Sequence, residues 1–168
     1  MIRKATAEDA ATLLQLIQGI AEYERLSDSV RCTTDSLLQY GFSQRPFFEA
    51  LLYEMSEEQG RCTVGFALYF FTYSTFTGKP TLYLEDLFVR PEYRGLGIGS
   101  KLFTELVRIA NEVGCGRMEW SVLDWNEPAI KFYQKLGAVA MSEWTVFRLD
   151  ETALSQLSAR DPGEHSQN

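Results

Sequence analysis

Ala10, Leu13, Leu14, Ile17 and Ala21 recur three and four residues apart, so residues 7 to 25 are predicted to form an amphipathic helix. Thr6 stands where a helix N-cap belongs, and Asp9 three residues on resembles the partner in a capping box. A short strand, Ile2 to Ala5, precedes it. The stretch TTDSLLQYG predicts a second, shorter helix, opened by Thr33 or Thr34 and stopped near Gly41. The period then changes. Phe47 to Met55 reads as a strand, although its alternation is poor. Thr63 to Phe71 and Thr81 to Val89 read as two more, separated by the turns SEEQG and STFTGKP. Helical spacing returns with Ile98, Leu102, Leu106, Ile109, Ala110 and Val113, and Gly114 and Gly116 end that helix. Met118 to Val122 is a strand. In WNEPAIKFYQKLG, Asn126 is placed to cap a helix, Pro128 falls in its first turn and Gly137 closes it. Trp144 to Leu149 is expected to be a last strand. The order predicts an α/β fold class: a mixed central sheet, antiparallel in its first half, parallel later, flanked by helices. One domain over residues 1 to 157 and a polar tail over 158 to 168 are expected, with no internal repeat and no interdomain linker.

The formal net charge of the 168 residues is -7. That weighs against nucleic acid as a partner, since phosphate binding favours a basic surface, and it suits a small cationic substrate. Cys32, Cys62 and Cys115 are scattered, and His165 is the only histidine. Zinc sites and histidine-based triads are therefore disfavoured, no metal is expected, and free thiols point to a reducing compartment. The N-terminal apolar segment contains Glu8 and Asp9, which argues against a secretory signal or membrane helix. The expectation is a cytoplasmic protein that does not enter a membrane.

The candidate chemistry begins at LYLEDLFVRPEYRGLGIGSKLF, Leu82 to Phe103. Gly95, Gly97 and Gly99 alternate between a predicted strand and a predicted helix. A helix start presents unsatisfied N–H groups and partial positive charge, and glycines let a ligand approach the backbone closely. Together they make a phosphate or pyrophosphate site, to which Arg94 adds a charged donor. The spacing is not that of a Walker A loop, nor of the Gly-x-Gly-x-x-Gly dinucleotide turn. Arg-x-x-Gly-x-Gly after a strand fits. A turn that serves only the path of the chain is the alternative reading.

VRPEYRGLGIGSKLF is similar to the acetyl-coenzyme A loop of the Gcn5-related N-acetyltransferases. AEYERLSD, YLEDLFVRPEYRGLGIGS and DWNEPAIKFYQKLGA further resemble the spermidine/spermine and thialysine branch, over roughly residues 1 to 150. The resemblance implies direct transfer of an acetyl group from acetyl-CoA to a primary amine. It implies that the pantetheine arm lies along the backbone of Leu87, Phe88 and Val89, whose amides also polarise the thioester carbonyl. It places the pyrophosphate on the stretch Arg94, Gly95, Leu96, Gly97, Ile98, Gly99 and Ser100, and gives Asn126 a coenzyme contact beside its capping role. Tyr133 matches the general acid that protonates the departing thiolate; packing beside Phe132 and Leu136 is its plainer role. Glu85 matches the base, acting through water, with Asp86 near the amine. As strand neighbours these two side chains should point to opposite faces. Tyr23 and Glu24 match residues lining the acceptor site.

One departure concerns the acceptor. Ser74 stands where polyamine-acetylating relatives carry an aspartate and thialysine-linked relatives a serine, which favours a shorter amine such as thialysine, lysine or a small diamine. A homodimer is implied by the family alone. The competing readings are acetylation of a protein lysine or N-terminus, and an acyl-CoA-binding regulatory module without turnover; Glu85 and Tyr133 argue against the second.

Overall fold

The computed structural model describes residues 1–58 and 60–159, so most of the expected polar tail, with His165, lies outside the described residues. The chain divides into two compact units, Met1–Ser121 and the part from Val122 onward.

The first unit is built on five strands: β1 (Ile2–Lys4), β2 (Glu49–Glu57), β3 (Gly60–Ser74), β4 (Lys79–Val89) and β5 (Arg117–Trp120). They lie side by side in chain order. The first four pair antiparallel, and β4 with β5 parallel, as the alternation of strands and helices predicts. Between β1 and β2 run a turn of 3-10 helix (Ala7–Asp9), α1 (Ala10–Tyr23) and α2 (Thr34–Gly41). Between β4 and β5 runs α3 (Ile98–Val113). The capping box at Thr6 and Asp9 forms, and Thr33 rather than Thr34 caps α2.

The apolar stripe of α1 packs with Leu37 of α2 onto Ala50 and Leu52 of β2, Phe66 and Leu68 of β3 and Phe88 of β4. α3 buries Ile98, Leu102, Phe103, Leu106, Ile109 and Ala110, and Phe103 meets Trp120 of β5 edge to face. The poor alternation of β2 now has a cause. Leu51 and Leu52 point to opposite faces and both are buried, so a polar residue fits neither side. Gly65 of β3 answers to close packing: a Cβ there would sit 2.8 Å from the Phe88 carbonyl oxygen and 3.5 Å from Ile98 at the start of α3.

The second unit contains α4 (Glu127–Lys135) and α5 (Glu151–Ser158). Asn126 caps α4, Pro128 lies in its first turn, and Gly137 beyond it is left-handed at φ 87°. The strand expected over Trp144 to Leu149 does not form. Its residue types suit a strand, but β-propensity acts only against a paired neighbour, and here Val146 and Phe147 are 82% and 92% exposed. α5 was not expected. Asp150 opens it, its Oδ1 accepting from Ala153 N at 2.8 Å. Among the described residues no helix is long and apolar enough to cross a membrane.

Candidate active site

After β4 the chain makes a 3-10 turn (Pro91–Tyr93), passes Arg94 and enters α3 at Ile98. Gly95 and Gly97 are left-handed, at φ 80° and 73°, with open space where a Cβ would stand. The backbone conformation, not crowding, calls for glycine at both. Gly99 is helical, and a Cβ there would meet only Val89, at 3.9 Å. Glycine at that position weakens the helix by about 1 kcal/mol relative to alanine, and it leaves the first-turn amides bare. The N-cap Gly97 supplies no side chain to those amides. By contrast Thr33 Oγ1 accepts from Ser36 N at 3.1 Å on α2, and Asn126 Oδ1 from Ala129 N at 3.4 Å on α4. The 16-residue α3 thus starts with uncapped donors and partial positive charge, which suits a pyrophosphate.

The strand leading into this turn has an open edge. β3 pairs with β4 up to Val89, whereas β5 pairs only with Thr81–Leu84. From Glu85 to Val89 the main chain on the β5 side has no strand partner among the described residues, so the backbone of Leu87, Phe88 and Val89 can take an extended amide-bearing arm. Bare amides, left-handed glycines and an open edge together fit acetyl-CoA.

The carboxylates sit on an irregularity. Leu68 pairs with Asp86 and Tyr69 with Leu84, so Glu85 is an extra residue with no partner on β3. Such a bulge bends the strand and re-aims its side chains, so simple alternation does not govern this pair. Glu85 is exposed, while Asp86 is largely withdrawn from water. Burial first, then repulsion from Glu85 and Glu24, pushes the Asp86 carboxyl up to about 7. Burial also raises Glu24, the C-cap just beyond α1. Two carboxylates, Glu85 and Glu24, thus act on Asp86 where α1 ends beside β4.

Arg94 turns to the same place. Its guanidinium carbon lies 4.4 Å from the centre of the Tyr23 ring and 5.7 Å from that of Phe88, and its Nε donates to the Val89 carbonyl at 3.0 Å. α1 comes close here, for a Cβ on Gly19 would stand 3.0 Å from the Phe88 ring.

The structure therefore brings Tyr23, Glu24, Glu85, Asp86, Phe88 and Arg94 together. Ser74 stays apart: it pairs with Lys79, six residues from Glu85, or about 20 Å along the strand. It is buried in the β3–β4 turn, where its Oγ accepts from Thr77 N at 3.3 Å. Asn126 and Tyr133 belong to the second unit, Tyr133 on α4 with its ring 5.2 Å from that of Phe132. The contact of Arg94 with Tyr23 and the bulge at Glu85 were missed in the sequence. Residues 71 positions apart give no local sign of meeting, and a bulge is a property of two strands.

The model of the acetyltransferase (GNAT) family matches residues 14–138. A thialysine N-epsilon-acetyltransferase of Sus scrofa is 42% identical over 167 residues, covering 95% of this chain and 98% of the relative. The human spermidine/spermine N(1)-acetyltransferase-like protein 1 is 39% identical over 94% of this chain, which spans 23% of that longer protein. Among solved structures, an integron cassette protein from the mobile metagenome of V. cholerae superimposes with a TM-score of 0.75 at 26% identity, covering 95% of this chain and 98% of the other.

Proposed function

Because this chain belongs to the acetyltransferase (GNAT) family, we propose that it transfers an acetyl group from acetyl-CoA to a primary amine of a small cationic acceptor, by direct transfer in a ternary complex. The observation that carries the acceptor class is Asp86, withdrawn from water and repelled by both Glu85 and Glu24, beside the open edge of β4. A cation relieves that repulsion; an anionic or neutral acceptor does not. The match over residues 14–138 runs across the boundary between the two units, which supports one acetyltransferase domain over residues 1 to 157.

Acetyl-CoA supplies an acetyl group already activated as a thioester. The uncapped amides from Gly97 to Ser100 hold its pyrophosphate, with Arg94 at the edge, and the backbone of Leu87 to Val89 aligns the pantetheine arm and donates to the thioester oxygen. An alkyl ammonium near pKa ~10.4 cannot attack until it loses a proton. Asp86, held up to about 7, is matched to receive that proton at neutral pH, and Glu85 on the bulge relays it through water. The base is therefore assigned to the coupled pair rather than to Glu85 alone. Tyr133 gives its phenolic proton to the departing sulfur. Asn126 contacts the coenzyme while capping α4, and Tyr23 and Glu24 receive the far end of the acceptor.

Ser74 lies too far along the strand to read the acceptor bound beside Glu85 of its own chain, so the lean towards a short amine rests on the named activity of the 42% relative. A homodimer, on family resemblance, and a cytoplasmic location, on the free thiols Cys32, Cys62 and Cys115, complete the reading.

The test is release of coenzyme A thiol from acetyl-CoA with thialysine, lysine, putrescine, spermidine, spermine and a basic peptide. Turnover with the small amines and not the peptide is expected. Turnover with the peptide alone moves the acceptor to proteins; coenzyme binding without any turnover makes the chain a binding module. Tyr133→Phe is expected to lower kcat about a hundredfold at unchanged coenzyme affinity, within the usual range for a general acid. An unchanged kcat removes Tyr133 from the chemistry.

A further inference from the structure

Arg94 is an unusual cation for its surroundings. No carboxylate forms an ion pair with it among the described residues. Its guanidinium instead lies over Tyr23, the last residue of α1, and near Phe88 of β4, with Nε tied to Val89. It also begins the glycine turn. One side chain thus joins the loop assigned to the coenzyme to the helix end assigned to the acceptor.

Guanidinium chemistry makes this link more than packing. A planar guanidinium stacks through its face and hydrogen-bonds through its edge, so both can operate at once. With Nε engaged by Val89, the two terminal nitrogens remain to meet phosphate oxygens at the mouth of the turn, while the face stays on Tyr23. The turn that follows runs through left-handed Gly95 and Gly97, a backbone with no side chains to fix it. The end of α1 is also less than ideally closed. Arg25 occupies a left-handed conformation, φ 61°, that glycine usually takes, while Arg25 N and Leu26 N bond back to Glu22 O and Ala21 O. A helix terminus closed by a non-glycine residue is a place where an added contact has leverage.

We propose that Arg94 is a positioning residue that orders the acceptor side of the site when coenzyme binds: fixing the glycine turn fixes its guanidinium, which clamps Tyr23 and so sets Glu24 against Asp86 and Glu85. This rests on the acetyltransferase reading and adds to it the side-chain contact through which the coenzyme turn and the amine side communicate. A cation–π contact at a partly exposed site changes an equilibrium by about two- to fivefold, and that is the size of effect expected.

The experiment is amide hydrogen exchange of the peptide covering Ile20–Ser27, with and without saturating coenzyme A, binding being measured separately by calorimetry. In the unmodified protein, coenzyme A is expected to slow exchange in this peptide about two- to fivefold. Tyr23→Phe keeps the ring and is expected to keep the response. Tyr23→Leu loses the ring, and Arg94→Lys the planar cation; the lysine variant is expected to bind coenzyme A more weakly, and with each variant saturated, as calorimetry defines it, both are expected to show no slowing. Arg94 is exposed, so its replacement keeps the test informative if Tyr23→Leu folds poorly. Slowing that survives in both variants, or that never occurs although coenzyme A binds, overturns the coupling and leaves the acetyltransferase reading intact. Absence of coenzyme A binding to the unmodified protein overturns both.

Discussion

Asp9 and Asp86 are both aspartates of the first unit, yet their surroundings pull them in opposite directions. Asp9 faces Arg3, whose two terminal nitrogens donate to its carboxylate oxygens at 2.7 and 2.8 Å. The guanidinium first, with help from the Thr6 backbone and hydroxyl, holds Asp9 down to about 2 despite some burial. The Nε of the same arginine donates to Glu54 at 2.7 Å, so one cation closes the corner between β1, the 3-10 turn and β2. Asp86 faces Glu85 and Glu24 and is pushed up to about 7. One corner has its charges neutralised within the fold. The other has its charges left for something else to neutralise, and that imbalance marks where a cationic ligand belongs.

The largest expected consequence is in catalysis. Asp86→Asn should lower kcat/KM for the best amine about a hundredfold at pH 7.5, the usual scale for losing a proton acceptor, whereas Asp9→Asn should leave it within about twofold. Steady-state kinetics on the two variants decides the matter. Equal losses would mean that both corners are structural and that the contrast between them carries no functional meaning.

That contrast was only partly legible in the residues. Thr6 with Asp9, Thr33 and Asn126 announce themselves because a cap involves residues three apart, and the glycine turn does so because left-handed backbone demands a residue type. The family resemblance placed Tyr23, Glu24, Glu85 and Asp86 in one site. Alternation put the two strand carboxylates on opposite faces, in keeping with an exposed Glu85 and a withdrawn Asp86, but it could not anticipate a bulge that exists only in the pairing with β3. The raised Asp86 was hidden for a similar reason: burial in the folded chain leads, and beyond the adjacent Glu85 the remaining repulsion comes from Glu24, 62 residues earlier. The segment from Trp144 to Leu149 failed in the other direction. Its residue types suit a strand, and only a neighbour that the chain does not supply among the described residues would have made it one.

Stability gives the next largest effect, with opposite signs for the two aspartates. For Asp86 the folded carboxyl sits at about 7, above its ordinary value of 3.8. The folded protein then holds more protons than the unfolded chain between roughly pH 4 and 7, so stability falls as pH rises through that window. Asparagine removes the charge. Asp86→Asn should therefore be more stable than the unmodified protein at pH 8 by about 2 kcal/mol, since solvent relaxation softens the penalty on the charge, with most of the gain gone by pH 4.5. Urea unfolding at the two pH values measures it. A gain of the same size at both would assign it to shape or hydrogen bonding, not to the trapped charge.

Asp9 supplies the smallest and most discriminating case. Its folded carboxyl lies at about 2, below the ordinary 3.8, so the unfolded chain binds the extra proton and the stabilisation is present above roughly pH 4. It is lost as pH falls towards 2. Arg3 is about one-third exposed, and the pair is partly screened by solvent, so Asp9→Asn should cost only about 1 kcal/mol at pH 7. Asparagine retains an acceptor for the Thr6 amide, so the loss reports the ion pair more than the cap. Added salt separates the two corners further. At 1 M salt the Debye length is about 3 Å, and the penalty of Asp9→Asn should shrink because the pair it removes is already weakened. The gain from Asp86→Asn should persist, since burial rather than a reachable partner is its leading cause. If salt erased both effects alike, Asp86 would be a surface charge among surface charges, and the case for a site built to receive a cation would lose its electrostatic ground.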